Sequence, residues 1–146
     1  MTYVKTFAGV LLVSLFCLSG IAVAQEAPYT EGSVWTMTFV RVEPGRLDDY
    51  FKNLNGMYRK VNEEAKKQGL VLSYKIIGTG ASTRDDWNLL ILEEYKNWAA
   101  FDELDAKFRA IFNKLASEEE QEAGIEARAK IREIIGGKIG RELSFK

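Results

Sequence analysis

Three ionisable side chains fall, on a period-two reading, beside apolar neighbours on one strand face. Glu94 follows Leu90 and Leu92 at two-residue steps in WNLLILEEY, residues 87–95. A carboxylate in an apolar cavity has its pKa raised, because burial penalises the charged form, and such a group can serve as a general base. Lys75 and Glu142 share that face by parity. A Lys–Glu pair there would either bind a polar substrate group or neutralise itself. Thr36, Thr38, Ser73 and Asn88 add hydroxyl and amide groups able to orient a ligand. Tyr74 offers a phenol, as do Tyr50 and Tyr58. Glu94 and Tyr74 are thus the candidate catalytic residues. Thr36, Thr38, Ser73, Lys75, Asn88, Leu90, Leu92 and Glu142 are the candidate ligand-binding set. Each has a plainer reading: the charges as solvated strand ends, the neutral polar groups as satisfied members of an interface, the aromatics as core.

Composition removes much other chemistry. The 146 residues include no histidine and one cysteine. His-based acid–base catalysis, Ser-His-Asp and Cys-His nucleophiles, His-ligated haem and nearly every zinc site are excluded. Twenty basic residues against 21 acidic ones give a net charge of -1 and no overall field for gripping nucleic acid. Gly78-Thr79-Gly80 lies between two predicted strands, lacks the Lys-Ser/Thr of a phosphate loop and opens no helix. Asp85-Asp86 reads as a solvated loop pair rather than a metal site. Glu118-Glu119-Glu120 suits the start of a helix, where the dipole favours negative charge. No cofactor and no metal are expected.

The first 24 residues read as an address. Lys5 is the only charge before Glu26, residues 10–18 are strongly apolar, and Ala22 and Ala24 form an A-x-A-like cleavage site before Gln25. This is the pattern of a secretory signal peptide, so the expected location is exported, periplasmic or secreted. Cleavage would leave 122 residues with 19 basic and 21 acidic side chains and no cysteine. No disulfide would then help the fold, and its core, or a partner chain, must hold it. No membrane segment would remain after cleavage.

Residues 25–32 are polar and read as a flexible leader. The domain expected behind it spans 33–146. Residues 33–42 alternate and predict a strand, ended by Pro44-Gly45. Over 46–68, apolar residues recur at three- and four-residue steps, from Leu47 through Tyr50, Leu54 and Val61 to Ala65. That spacing predicts one long helix with Gly69 as its stop. Residues 70–77 and 87–95 predict strands, and 98–115 a second helix capped by Asn97. Ser117 and Glu120 form a capping box opening a third helix, to about Ile135, stopped by Gly136-Gly137. Residues 138–145 predict the last strand. The order β-α-β-β-α-α-β is, apart from one extra helix, the split β-α-β pattern of the α+β ferredoxin-like fold, an antiparallel sheet with helices on one face.

Sorting the strands by parity predicts Trp35, Met37, Phe39, Leu72, Tyr74, Ile76, Leu89, Ile91, Ile139, Leu143 and Phe145 under the helices. Opposite them fall Thr36, Thr38, Val40, Ser73, Lys75, Ile77, Asn88, Leu90, Leu92, Glu94, Glu142 and Ser144. A free face carrying Val40, Ile77, Leu90 and Leu92 is too apolar for water. A second copy of the sheet would cover it, making a two-chain barrel whose lumen the polar members line.

The segments SVWTMTFVRVEPGRLDDY, GLVLSYKIIG and DDWNLLILEEYKNWAAFDEL resemble the dimeric α+β barrel superfamily over about 33–115 and 138–145. In style they are similar to exported bacterial proteins of its NIPSNAP-like and antibiotic-biosynthesis-monooxygenase-like branches. The resemblance implies a homodimer with one cavity per protomer. It implies no single chemistry, since members include oxygenases, isomerases and haem enzymes, and no catalytic motif transfers residue by residue. The functional expectation is an exported homodimeric barrel binding a small, largely apolar ligand. The alternatives are a cofactor-independent monooxygenase-like enzyme and a structural or partner-binding dimer without activity.

Overall fold

Strands form where the sequence alternates, and their pairing settles the face each residue takes. The computed structural model describes residues 26–146; the expected signal segment 1–24, with Cys17, and Gln25 lie outside the described residues. Strands β1 (Tyr29–Val42), β2 (Ser73–Gly78), β3 (Leu89–Tyr95) and β4 (Arg132–Phe145) make one sheet in the order β2-β3-β1-β4. Every neighbouring pair is antiparallel. Helices α1 (Leu47–Asn53) and α2 (Arg59–Lys67) run between β1 and β2, and α3 (Leu104–Leu115) and α4 (Glu118–Ala129) between β3 and β4. This is the ferredoxin-like α+β fold.

The expected long helix is one stripe with a defect. Residues Leu54–Tyr58 form a π-helical turn between α1 and α2, with Gly56 at φ -76°, ψ -108°. The stripe survives it: Tyr50, Leu54, Val61 and Ala65 are all buried. Gly69 follows the helix at φ +71°, the left-handed conformation that glycine adopts without a Cβ clash.

Four boundaries differ from expectation. Strand β1 begins at Tyr29, where Tyr29, Thr30 and Glu31 pair with Phe145, Ser144 and Leu143, so much of the expected leader is strand. The expected helix over 98–115 is broken. Trp98–Phe101 is a 3-10 turn, Asn97 gives no side-chain cap, and Glu103 sits at φ 56° before α3 begins. The Ser117–Glu120 capping box is present, but α4 ends at Ala129 rather than near Ile135. Ile134, Gly136 and Gly137 instead pair with β1 as part of β4, and Ile135 falls at a break in the register. Long-range pairing of β-branched residues overrides a locally helical reading there.

Two buried clusters join helices and sheet. Val40, Val42, Tyr50, Leu54, Leu89, Ile91 and Ile131 form one, and Val61, Ala65, Val71, Tyr95 and Ile111 the other. The parity reading holds for β2 and β3 and is inverted for β1. Trp35, Met37 and Phe39 stand opposite Glu94, Leu92 and Leu90, so all six share the open face. Val34, Thr36, Thr38, Val40 and Val42 point toward the helices, and Val34, Val40 and Val42 are 0–1% exposed. Residue size suggested the reverse, but register decides: Val40 pairs with buried Leu89, and Val34 with buried Tyr95. A further correction concerns β4 and the segment before β2. Ile139, Leu143 and Phe145, expected under the helices, are exposed on an edge strand, and Leu72 is exposed as well.

Candidate functional site

The inversion of β1 divides the expected site between two faces. On the open face, Glu94 accepts hydrogen bonds from Ser33 Oγ (2.8 Å) and Ser73 Oγ (2.5 Å). Ser33 also donates to Glu142 (3.2 Å). Lys75 does not reach a carboxylate; its Nζ lies 5.2 Å from the ring centre of Trp35. Lys75, Leu92 and Glu142, with Trp35, Met37 and Ile77, line a shallow hollow of about 420 Å³. Leu90 lies between Phe39 and Ile77 on the same face. The expected Lys75–Glu142 pair is therefore not formed.

On the helix side lies a smaller cavity of about 210 Å³. Leu54, Met57, Ile91 and Phe112 supply its apolar walls, and Thr38, Tyr50, Tyr58, Glu93, Arg128 and Arg132 its polar groups. Thr36 and Thr38, expected on the free face, belong here. Thr36 Oγ1 lies 3.4 Å from Glu93 Oε2. The same carboxylate accepts from Tyr58 Oη at 3.2 Å and Tyr95 Oη at 2.9 Å. Burial first, and then the Glu93 charge, pushes both phenols far above the ordinary tyrosine value. Both therefore keep their protons and act as donors at neutral pH.

The residue with the stronger claim is thus Glu93, one position before the expected Glu94. The signal was present in the alternation. Alternation puts Leu89 and Ile91 on the helix side, and the same two-residue step carries that face to Glu93. Arg128 and Arg132 carried no such signal, because residues 117–135 read as one polar helix.

Tyr74 and Asn88 have structural partners. Tyr74 Oη donates to Glu63 (2.9 Å), and its ring packs edge-on against Tyr58, with centroids 5.9 Å apart. Asn88 mimics a strand neighbour. Its Oδ1 accepts from the Val42 N–H and its Nδ2 donates to the Val42 carbonyl, both at 2.8 Å. These two bonds give the amide a structural role beside any ligand role. Asp86, in the loop, accepts from the backbone N–H groups of Ser82 and Trp87. Among the described residues, no group of three or more Asp, Glu or Cys is placed to hold a metal ion, and no helix is long and apolar enough to cross a membrane.

A larger cleft, about 800 Å³, opens at one end of the sheet. Arg41 bonds both Asp85 and Glu133 there, and Arg132 borders this cleft as well as the smaller cavity. The cleft lining is the more polar of the two, and the cavity beside Glu93, with apolar walls around a few convergent polar groups, is the better candidate.

Comparison with solved structures agrees with the fold. The chain is similar to HapK from Hahella chejuensis, at 12% identity and a TM-score of 0.50, over 75% of this chain and 91% of that one. It is also similar to a dimeric ferredoxin-like protein from an uncultured marine organism, at 13% identity and a TM-score of 0.49, over 78% and 95% of the two chains. A second dimeric ferredoxin-like protein from an uncultured marine organism matches at 12% identity and a TM-score of 0.49, over 80% and 90%. At such identities the likeness to HapK shows the fold alone. No protein-family model matches the sequence, and no curated protein does.

Proposed function

We propose that this is an exported, homodimeric binding protein whose protomers each hold one small, largely apolar molecule in the cavity between helices and sheet. The observation that carries the reading is that cavity: apolar walls from Leu54, Met57, Ile91 and Phe112 around Glu93 and Tyr58, with Tyr95, outside the lining, also donating to Glu93. Apolar walls with a few convergent polar groups are what a ligand site needs. The volume, about 210 Å³, is below the usual range for drug-sized ligands, so the molecule is small. Homodimer formation is supported by the open sheet face, where Trp35, Met37, Phe39, Ile77, Leu90 and Leu92 form one apolar surface. Export is supported by the pattern of residues 1–24.

Native mass spectrometry of the protein purified from its host tests this reading. It should give a dimer lacking residues 1–24 and carrying one small organic molecule per protomer. A bare monomer retaining those residues overturns it.

The Glu93 cluster favours a second reading, a cofactor-independent oxygenase similar to the antibiotic-biosynthesis-monooxygenase-like branch. Glu93 would accept the proton of a bound phenol, and the electron-rich ring would reduce dioxygen, one oxygen atom replacing hydrogen at a ring carbon to give the quinone and the other leaving as water. Oxygen uptake with a panel of quinol-type substrates, lost in Glu93→Gln, is the expected result. No uptake across the panel ends this second reading.

A further inference from the structure

The cavity beside Glu93 carries more positive charge than its own residues neutralise. Arg128, in the last turn of α4, and Arg132, the first residue of β4, both line it. Among the described residues neither forms an ion pair. The Arg128 guanidinium donates only to the neutral Asn53 Oδ1, at 3.1 Å. The Arg132 guanidinium lies over the Tyr50 ring, 5.6 Å from its centre. Glu93 pairs with neither: the groups within hydrogen-bond distance of its oxygens are the neutral hydroxyls of Tyr58, Tyr95 and Thr36.

Tyr50 adds an independent sign. Its side chain is 0% exposed, and its hydroxyl proton finds no acceptor: the group beside it is the Arg132 guanidinium, itself only a donor. A buried hydroxyl proton without an acceptor is a free-energy cost that a ligand acceptor would relieve. Tyr50 lines the same cavity as the two arginines. Burial, and then the charge of Arg132, draws the Arg128 pKa below its ordinary value, as expected of two cations sharing a poorly solvated space. An unsatisfied donor and two unpaired guanidinium groups around one small cavity are a deficit of acceptors and of negative charge.

The geometry points to a small carboxylate as the ligand: an aryl or short alkyl acid whose carboxylate meets Arg128, Arg132 and the Tyr50 hydroxyl, with its apolar body against Met57, Ile91 and Phe112. This inference rests on the ligand-binding reading above and narrows it. A guanidinium matches a carboxylate with two parallel N–H donors, and the phenol completes the remaining lone pair. The apolar walls exclude a bare inorganic anion as the best occupant. The cavity volume, about 210 Å³, sets the scale at a single ring or a short chain.

Calorimetric titration of the dimer with matched neutral and acidic probes tests the inference. The probes are benzoate with benzamide, hexanoate with hexanamide, and phenol as a neutral ring. The acids should bind at least tenfold more tightly than their amides. Arg128→Met and Arg132→Met should each abolish that preference. Tyr50→Phe removes one oxygen and keeps the ring, so it should fold as the parent does and weaken acid binding severalfold with phenol binding unchanged. Thermal unfolding of each variant separates lost binding from lost fold. Amides or phenol binding as well as the acids, or acid binding indifferent to Tyr50→Phe and both arginine variants, overturns the carboxylate inference and leaves a ligand site standing. No binding by any probe overturns both.

Discussion

Glu93 and Glu94 are consecutive residues whose carboxylates lie on opposite faces of the same sheet. Glu93 stands under the helices, where Tyr58 and Tyr95 donate to it. Glu94 stands on the open face, where Ser33 and Ser73 do so. The pleat alone separates them. Their substitutions should therefore separate too. Glu93→Gln replaces one acceptor oxygen by a donor among hydroxyls that also donate, at a cost of about 2 kcal/mol. Glu94→Gln, with hydroxyls that can rotate in a wetter setting, should cost under about 1 kcal/mol. Urea unfolding of both variants checks this, and equal losses would show that Glu93 is not enclosed.

Asn88 offers a test of structure against ligand chemistry. Its amide pairs with both polar groups of Val42, continuing the ladder beside β3. Asn88→Ala leaves the Val42 N–H and carbonyl without those partners, next to a fully buried side chain. The expected loss is about 2–3 kcal/mol of stability with no change in ligand affinity. Stability near that of the parent, or a large affinity loss in a well-folded variant, would put Asn88 in the binding set.

These pairs also show what the linear sequence can and cannot disclose. Alternation placed Leu90, Leu92, Lys75, Ile77 and Glu94 together correctly, because β2 and β3 carry unequal faces. In β1 both faces are apolar, so alternation marks the strand without orienting it. Only the pairing of Val40 with Leu89 does that. The capping box at Ser117 is a local signal and is present as expected. The end of α4 is not local: Ile134 and its neighbours go where β1 offers hydrogen bonds. Arg128 and Arg132 enter the cavity only because the helix ends between them, which no spacing reveals.

Two shielded phenols, Tyr95 buried and Tyr58 half-buried, make the stability depend on alkaline pH. Tyr58 and Tyr95 are raised above the ordinary value of 10.0, by burial and then by Glu93. A raised folded-state value means that the contribution is fully present below the unfolded tyrosine value. It is lost as pH rises beyond that value, because the unfolded chain ionises first. Each tyrosine should therefore remove up to about 1.4 kcal/mol per pH unit above pH ~10. Tyr58→Phe lacks one ionisable group and should show a shallower decline than the parent. Denaturant unfolding across that alkaline range measures both slopes, and parallel slopes would mean that Tyr58 is solvated.

The open face decides the assembly. Trp35, Met37, Phe39, Ile77, Leu90 and Leu92 share it without a covering helix. The Lys75 ammonium lies over the Trp35 ring, 5.2 Å from its centre, so a cation–π contact accompanies the apolar side chains on this face. A second sheet packed face to face would bury these side chains, each contributing roughly 1.5–3 kcal/mol when fully removed from water. In a two-fold interface each substitution counts twice. Leu92→Thr keeps a strand-forming residue and adds no charge, yet should weaken the dimer by on the order of a hundredfold or more in Kd. Leu92→Lys adds desolvation of a charge and should leave monomer at micromolar concentration. Ile139→Lys, on the exposed edge outside that face, should leave the dimer intact. Light scattering over a dilution series reads all three. A parent that is monomeric throughout, or a Leu92→Lys protein still dimeric, would mean that this sheet face meets water rather than its own copy.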